Sequence, residues 1–384
     1  MIDRIFIYLL PLIIIADTYI YNLFIKKLTQ SLTLRILWFV PIILLMLGVY
    51  LFIFSEIGRE HRSVFMIVYM TIAVPKIIFF VISLLDLPLR YFFKWKIYPF
   101  TILGILSGIG VIYIIIYGTT LGPTRFEVKN IDFYSSNLPD SFDGYKIVHI
   151  SDLHVGKWEG DKVPLTKMVR LVNEQHADAV MITGDLVHTY AKELDGFEPL
   201  LSGIKAPDGV YSIFGNHDYG FIRWKSKESR ADNLENLKQR QANMGWTLLL
   251  NGHTFLRKGN DSIALIGVEN EGMPPFPQYA DLPKAMRGTE ISPFKILLSH
   301  DPTHWRREVL GTDIDLMLAG HTHGTQFKLG PVSFAPLLYD EWAGMYKEGK
   351  QGLYVNVGVG SVVIPFRFGT WPEITVITLK KERL

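Results

Sequence analysis

Four apolar runs crowd into the first 118 residues of this 384-residue chain, about Ile5–Ile25, Ile36–Phe54, Val64–Leu85 and Tyr98–Tyr117, and they constrain its fold more than anything else in the sequence. Each reaches the roughly 20 residues a helix needs to cross about 30 Å of hydrocarbon. Buried soluble helices rarely follow one another in this way, so a bilayer is the expected solvent. Polar joints separate the runs: Lys26 to Arg35, Glu56 to Arg62, and Arg90 to Lys96. Tyr19, Tyr21, Trp38, Tyr91, Trp95 and Tyr98 sit near run ends, where interfacial anchors belong. A cleavable signal peptide fits the first run poorly, because the run is longer than a usual signal core and three more spans come after it.

Four spans place Met1 and the C-terminal part on the same side. The first and third joints carry six basic residues (Lys26, Lys27, Arg35, Arg90, Lys94, Lys96), and the opposite side carries five (Arg4, Arg59, Arg62, Arg125, Lys129). That balance leans the C-terminal part toward the extracytoplasmic side. Two ionisable residues fall inside spans, Asp17 and Lys76. Each is about twelve positions into a helix of the same direction, so they share a depth. A structural ion pair is the plainer expectation, and contact with a lipid headgroup or substrate the sharper one.

Beyond about Gly122 the texture changes. The remainder holds 29 basic and 32 acidic residues and ten of the eleven histidines. So diluted a positive charge points away from nucleic acid, whereas clustered imidazoles point toward metals. Cysteine is absent, which excludes disulfides, thiolate metal sites and a cysteine nucleophile. Short Val/Ile/Leu-rich segments read as buried strands: Tyr145–Ile150, Ala179–Thr183, Val210–Phe214, Ser262–Val268, Lys295–Ser299, Asp315–Ala319, Leu353–Val357 and Ile374–Leu379. Helical spacing over Val163–Glu174 and Ala231–Met244 lies between them and argues for α/β layering. Gly272–Pro277 reads as a rim loop.

The chemistry is concentrated at the ends of these strands. Ser151-Asp152-Leu153-His154 comes after the first, Gly184-Asp185 after the second and Gly215-Asn216-His217-Asp218 after the third. Ser299-His300-Asp301 and Gly320-His321-Thr322-His323 close two later ones. Ligands of α/β sheets bind beyond the carboxyl ends of the strands. One carboxylate can bridge two divalent cations about 3.5–4 Å apart, with imidazoles and other oxygens completing the set. Ligation without sulfur suits Mn, Zn or Fe. Glycine before Asp185, Asn216 and His321 is expected to let the backbone turn sharply.

This ordered set resembles the calcineurin-like metallophosphoesterase family, whose signature runs D-x-H, G-D, G-N-H-D/E, H and G-H-x-H, over about residues 145–323. The tail, Gly358-Val359-Gly360 through Pro365-Phe366-Arg367 and Pro372-Glu373-Ile374, is similar to a bacterial branch of membrane- or wall-associated phosphodiesterases related to UDP-diacylglucosamine hydrolases. The resemblance implies a four-layer α/β/β/α sandwich. It implies one divalent metal held by Asp152, His154, Asp185 and His323, and a second held by the bridging Asp185 with Asn216, His300 and His321. It places His217 at the substrate phosphate, oriented by Asp218, as the acid that protonates the leaving group. A hydroxide shared by the two metals would attack phosphorus. No motif position departs from the family pattern.

The expected organisation is therefore a transmembrane region over 1–118, a linker and first part of the catalytic domain over 119–143, and the phosphoesterase domain over 144–384. Because the link from Thr119 to Glu127 is short, the expected partners are membrane lipids and a phosphorylated substrate, a lipid-linked diester or pyrophosphate. Basic residues between the third and fourth motifs (Arg223, Lys225, Lys227, Arg230, Lys238, Arg240) would favour an anionic headgroup. The alternatives are a phosphomonoesterase on the same metals, a non-catalytic membrane receptor and a transporter. Among the remaining histidines, His149 reads as packed core and His188 and His304 as substrate or supporting contacts. Arg367 reads as a phosphate contact or a structural salt bridge.

Overall fold

The computed structural model describes residues 2–55, 61–94, 97–158, 160–220 and 227–383, with the side chains of 2–5 and 227–228 left outside. Glu56, Arg59, Trp95, Lys96, Arg223 and Lys225, with the side chains of Arg4 and Lys227, therefore lie outside the described residues. The chain divides into two compact units, Met1–Thr120 and Leu121–Leu384.

In the first unit four helical segments are long and apolar enough to span a membrane: Phe6–Leu28, Leu32–Phe54, Arg62–Phe93 and Pro99–Thr120. The third differs from the expected run. Helix Arg62–Ser83 is followed, after a turn, by helix Asp86–Phe93, which takes in part of the joint expected to be irregular. Asp86, the first residue of the second helix, ties it to the fourth span. Its buried carboxylate accepts from the backbone N–H groups of Phe100 (3.2 Å) and Thr101 (2.7 Å) and from the Thr101 hydroxyl (2.7 Å). It thus satisfies the otherwise unpaired donors at the start of the fourth span. That span packs through glycine: a Cβ on Gly104 would lie 3.2 Å from the Phe79 carbonyl oxygen. Small residues allow this backbone approach where water provides no driving force for packing.

Lys76 Nζ and Asp17 Oδ1 are 2.7 Å apart, so the two intramembrane charges pair. Lys76 Nζ also lies 5.0 Å from the centre of the Trp38 ring, and the Trp38 indole N–H donates to the Asp17 carbonyl at 3.2 Å. Removing one partner of a buried pair strands the other, at a cost of about 3–5 kcal/mol. Asp17→Asn is expected to lower the thermal midpoint of the full-length chain in detergent, and the exchange Asp17→Lys with Lys76→Asp to recover most of it. An unchanged midpoint in Asp17→Asn would remove the structural role.

In the second unit the first described strands are β1 (Glu127–Ser135), β2 (Lys146–Ile150), β3 (Ala179–Thr183), β4 (Val210–Ile213), β5 (Thr247–Leu248), β6 (Gly252–Lys258) and β7 (Asp261–Gly267). They continue with β8 (Lys295–Leu298), β9 (Leu316–Ala319), β10 (Lys328–Leu329), β11 (Val332–Ser333), β12 (Gly344–Glu348), β13 (Gln351–Val355) and β14 (Glu373–Lys381). One six-stranded sheet has the order β1-β14-β2-β3-β4-β5 and the other β12-β13-β9-β8-β7-β6, while β10 and β11 form a separate hairpin.

Successive side chains of a strand face opposite sides, and here that alternation builds four layers. Ile147, Met181 and Ile213 of the first sheet meet Leu265, Ile296, Leu298, Leu316 and Leu318 of the second. Their neighbours Val148, Val180 and Ile182 turn outward onto Leu165, Met168 and Val172 of helix Val163–Asn173 and onto Leu237 of helix Lys227–Asn243. On the far side Leu297, Met317 and Val355 pack on Leu282, Ala285 and Trp305. The fold is the expected α/β/β/α sandwich.

The unexpected strands have readable causes. In β1 the sequence EVKNIDFYS buries only Phe133 and Ser135, because the strand lies at a sheet edge and is mostly polar. In β6 only Leu256 is fully buried. Neither carries the apolar run that marks a central strand.

Candidate metal centre

Strands β2, β3 and β4 run parallel in one sheet, and β8 and β9 run parallel in the other. Their carboxyl ends deliver Asp152 and His154, Asp185, Asn216 and His217, His300, and His321 and His323 respectively. Asp152, His154 and His323 place one ligating atom each within 4.8 Å of one another, as do Asp185, His300 and His321. Asn216 joins the second group, its Oδ1 lying 3.2 Å from His300 Nε2.

The two carboxylates are held alike. Asp152 Oδ2 accepts the His321 backbone N–H at 3.0 Å, and Asp185 Oδ1 accepts that of His217 at 2.8 Å. In each case the other oxygen turns into the cluster. Asp152 Oδ1 lies 3.1 Å from His323 Nε2 and 3.7 Å from His154 Nε2, and it is buried without a hydrogen-bond partner. Asp185 Oδ2 lies 3.6 Å from His154 Nε2 of the first group and 3.3 Å from His300 Nε2 of the second.

Backbone conformation has been recruited to hold this arrangement. Asp152, His154, Asp185, His321 and His323 all adopt left-handed φ angles between 45° and 71°. Side-chain-bearing residues persist there only when their surroundings hold them, and such residues concentrate at functional sites. The glycines act differently from the expectation. Gly184 does take φ +88°, but at Gly215 and Gly320 the requirement is room. A Cβ on Gly320 would collide with Ser151 Oγ and Asp152 Oδ2, and one on Gly215 with Asp185 Oδ1.

The electrostatics favour a cation. Burial opposes ionisation of Asp152, yet the facing imidazoles of His323, His154 and His300 hold its carboxyl well below the usual range. Asp185 is likewise held low against its own burial, chiefly by His300 and His217. In return, and again against burial, Asp185 and Asp152 raise His300 to about 10, so positive charge at this point is stabilised. His154 and His188, with burial dominant, fall to about 4 and about 2, which leaves neutral rings with lone pairs to offer.

The donor set fits divalent metal. His300 Nδ1 is 2.6 Å from the Thr183 carbonyl, which can only accept, so one ring proton sits there and Nε2 faces the cluster, where a divalent cation would take the place of the second proton. Ligand atoms on a common ion at about 2.0–2.2 Å stand roughly 3–3.5 Å apart, and the separations in this cluster are close to that. His323 is the exception. Arg367 Nη2 lies 3.0 Å from its Nδ1, and a guanidinium only donates. A cation at Nε2 therefore requires Arg367 to direct that donor to the Gly358 and Gly360 carbonyls, which it already contacts.

Two expected roles are corrected. Asp218 does not orient His217: its oxygens accept the backbone N–H groups of Val187 (3.1 Å) and Gly215 (2.9 Å), so it ties two strand-end loops together. Burial, followed by the charge of Asp185, pushes its carboxyl up to about 8. The His217 ring is held instead by the His188 carbonyl, 2.7 Å from Nδ1. Arg367 forms no salt bridge among the described residues. It is fully buried and donates to the carbonyls of His323, Val357, Gly358, Gly360 and Thr370, pinning the tail beneath the His321–His323 loop.

Two residues at the site have little or no signal in the sequence. His188 stacks on His217 with ring centres 4.7 Å apart, and its Nδ1 lies 3.4 Å from His154 Nδ1. Its position three residues after Asp185 is the only hint. Tyr339 places its hydroxyl 3.2 Å from His321 Nε2, and burial first, then Asp301 and Asp152, pushes that hydroxyl up to about 12, so it stays protonated. Phe276, from the expected rim loop, covers another side of His321 edge-on at 4.8 Å. His149 is core, bonded to the Thr183 hydroxyl at 2.9 Å, and His304 is buried between Ser299 and Glu308.

An α/β sandwich with carboxylates and imidazoles gathered at the shared carboxyl edge of its two sheets defines a class, and comparison with known proteins identifies the family. Residues 145–325 match calcineurin-like phosphoesterase, and residues 3–123 match probable calcineurin-like phosphoesterase, transmembrane domain. The chain is 33% identical over 277 residues to the uncharacterized metallophosphoesterase YkuE of Bacillus subtilis, covering 69% of this chain and 89% of that protein. It is 32% identical over 276 residues to a transmembrane protein with metallophosphoesterase domain from Danio rerio, covering 69% of this chain and 60% of that protein. An uncharacterized metallophosphoesterase of Helicobacter pylori is 29% identical over 268 residues, covering 67% of this chain and 65% of that protein. The chain belongs to the calcineurin-like metallophosphoesterases, a family that uses divalent metals, and its four transmembrane helices make it an integral membrane member.

Proposed function

We propose that this protein hydrolyses a phosphodiester or pyrophosphate bond of a lipid-linked substrate at a centre of two divalent metals. The position of Asp185 Oδ2, within 3.6 Å of an imidazole nitrogen from each ligand group, carries the reading. Asp152, His154 and His323 would hold one metal, Asn216, His300 and His321 the other, and Asp185 both. When bound, such a pair supplies an activated water nucleophile and neutralises charge on the phosphoryl oxygens.

The chain's own residues do the rest. His217 donates Nδ1–H to the His188 carbonyl, so its Nε2 is the atom left to face a phosphoryl or leaving-group oxygen. In the imidazolium form that nitrogen delivers a proton to the departing alkoxide. Asp218 keeps the loops bearing Asn216 and Val187 in register, and Tyr339 offers a hydroxyl beside His321. The lipid-linked class is supported by the membrane anchor, since residues 121–126 alone join the last span to β1.

The test uses the full-length chain in detergent, stripped of metal and reloaded with Mn, Zn or Fe. Metal content and hydrolysis of bis(4-nitrophenyl) phosphate, 4-nitrophenyl phosphate and a lipid pyrophosphate in mixed micelles are measured. Two metals per chain, with turnover of diester and lipid substrate exceeding that of the monoester, is the expected result. Faster monoester cleavage would make the protein a phosphomonoesterase, and metal binding without any turnover would make it a receptor.

A further inference from the structure

The ten residues from Leu329 to Leu338 include five large apolar side chains in solvent. Leu329, Val332, Phe334, Leu337 and Leu338 are each 50–80% exposed. They belong to hairpin β10–β11 and the turn after it, immediately between two parts of the metal centre. His323 lies five residues before β10, and Tyr339, whose hydroxyl meets His321, directly follows Leu338. Scattered apolar residues on a surface are ordinary, but five within ten consecutive residues, with Leu329 opposite Val332 across the hairpin, mark a contact surface.

The topology indicates what covers it. Strand β14 is antiparallel to β2, with Thr375 opposite His149, and β1 is parallel to β14, with Glu127 opposite Glu373. The amino end of β1 therefore lies at the same sheet edge as the carboxyl ends of β2, β3 and β4. The point where this unit continues from the last membrane span and the metal centre share one edge.

A line of side chains then joins that entry point to the hairpin. Arg125 stacks on Trp371 at 4.4 Å, Trp371 meets Phe368 at 5.7 Å, Phe368 meets Phe327 at 6.3 Å, and Phe327 stacks on Phe334 at 5.7 Å. The hairpin is pinned to the same segment, because Lys328 N–H donates to the Phe368 carbonyl at 2.7 Å and Phe368 N–H to the Gln326 carbonyl at 3.0 Å. The residue preceding this unit, Thr120, ends a helix built to lie in a bilayer.

We infer that hairpin β10–β11 and the turn through Leu338 dock on the bilayer surface, with Leu337 and Leu338 among the acyl chains and the metal centre held at the level of the lipid headgroups. Burying these side chains out of water is favourable for each of them, and the short tether keeps the bilayer always within reach. The occupant is lipid of the host membrane, so docking does not depend on which bond the enzyme cleaves.

The absence of cysteine makes the test direct. Single-cysteine variants Leu337→Cys, Leu338→Cys and, as a control, Ile291→Cys are labelled with an environment-sensitive nitrobenzoxadiazole dye. Each full-length chain is reconstituted into phosphatidylcholine vesicles with and without lipid carrying a doxyl quencher on the acyl chain. Ile291 is exposed and lies before the amino end of β8, at the opposite sheet edge. A blue-shifted emission at 337 and 338, largely lost with doxyl lipid, beside an unshifted and unquenched control, is the expected result. Emission at 337 and 338 as insensitive to doxyl lipid as the control would overturn the inference. So would a blue shift that doxyl lipid leaves untouched, since another protein surface would then be the cover. Either failure, with hydrolysis of the soluble diester intact, would leave the proposed enzyme standing.

Discussion

Asp185→Asn is expected to lose bound metal and at least a thousandfold in kcat/KM on a soluble phosphodiester. The size follows from the orientation the structure imposes on the new amide. Asp185 Oδ1 accepts the His217 backbone N–H at 2.8 Å, and the amide oxygen will take that place because the NH2 group cannot accept. The NH2 group is then turned to the position of Oδ2, between His154 Nε2 and His300 Nε2, at 3.6 and 3.3 Å. Two ligand groups that shared an anionic oxygen would share a donor that repels a cation. Losing several kcal/mol of transition-state stabilisation, about 4 kcal/mol, corresponds to roughly a thousandfold in rate. Metal content by mass spectrometry, read beside kcat/KM, tests both halves. A variant with unchanged metal content and rate would show that Asp185 bridges nothing.

His217→Ala is expected to keep its metal and lose about 10²–10⁴-fold in kcat on substrates with poor leaving groups, the usual range for a general acid. The His217 side chain belongs to neither proposed ligand group, and its backbone N–H, which holds Asp185, survives the substitution. Metal binding and proton delivery should therefore separate. The deficit should shrink as the leaving group improves from an alkoxide to 4-nitrophenolate, which departs without a proton. An equal deficit across that series would reassign His217 to phosphate binding. His188→Ala provides a check on the holder, because His217 leans on the His188 backbone carbonyl, which alanine retains. That variant should fall well short of the His217→Ala loss.

The different outcomes for Asp218 and His217 show how far motif reading goes. Adjacent in the sequence, the two invite pairing, yet residues on either side of one peptide bond leave a strand end in different directions. Asp218 went to the N–H groups of Val187 and Gly215, which burial would otherwise have left unpaired. The His217 ring met the carbonyl of a residue 29 positions earlier. Tyr339 was silent for a similar reason: it reaches His321 only because the chain folds back after an exposed hairpin.

The sequence by itself determined the membrane spans, the central strands and the order of chemical residues at strand ends. These depend on local pattern, apolar length in one case and apolar runs closed by Asp, Asn or His in the other. It also indicated the Asp17–Lys76 pair, since two charges at one depth in hydrocarbon have few other partners. Tertiary structure alone decided which carboxylate oxygen turns inward, which backbone angles are left-handed, that β1 starts at the edge holding the metal centre, and that an apolar hairpin stands beside it. These features arise from contacts between residues tens to hundreds of positions apart. Their geometry is fixed by how two sheets close on each other, and no local stretch of sequence encodes that closure.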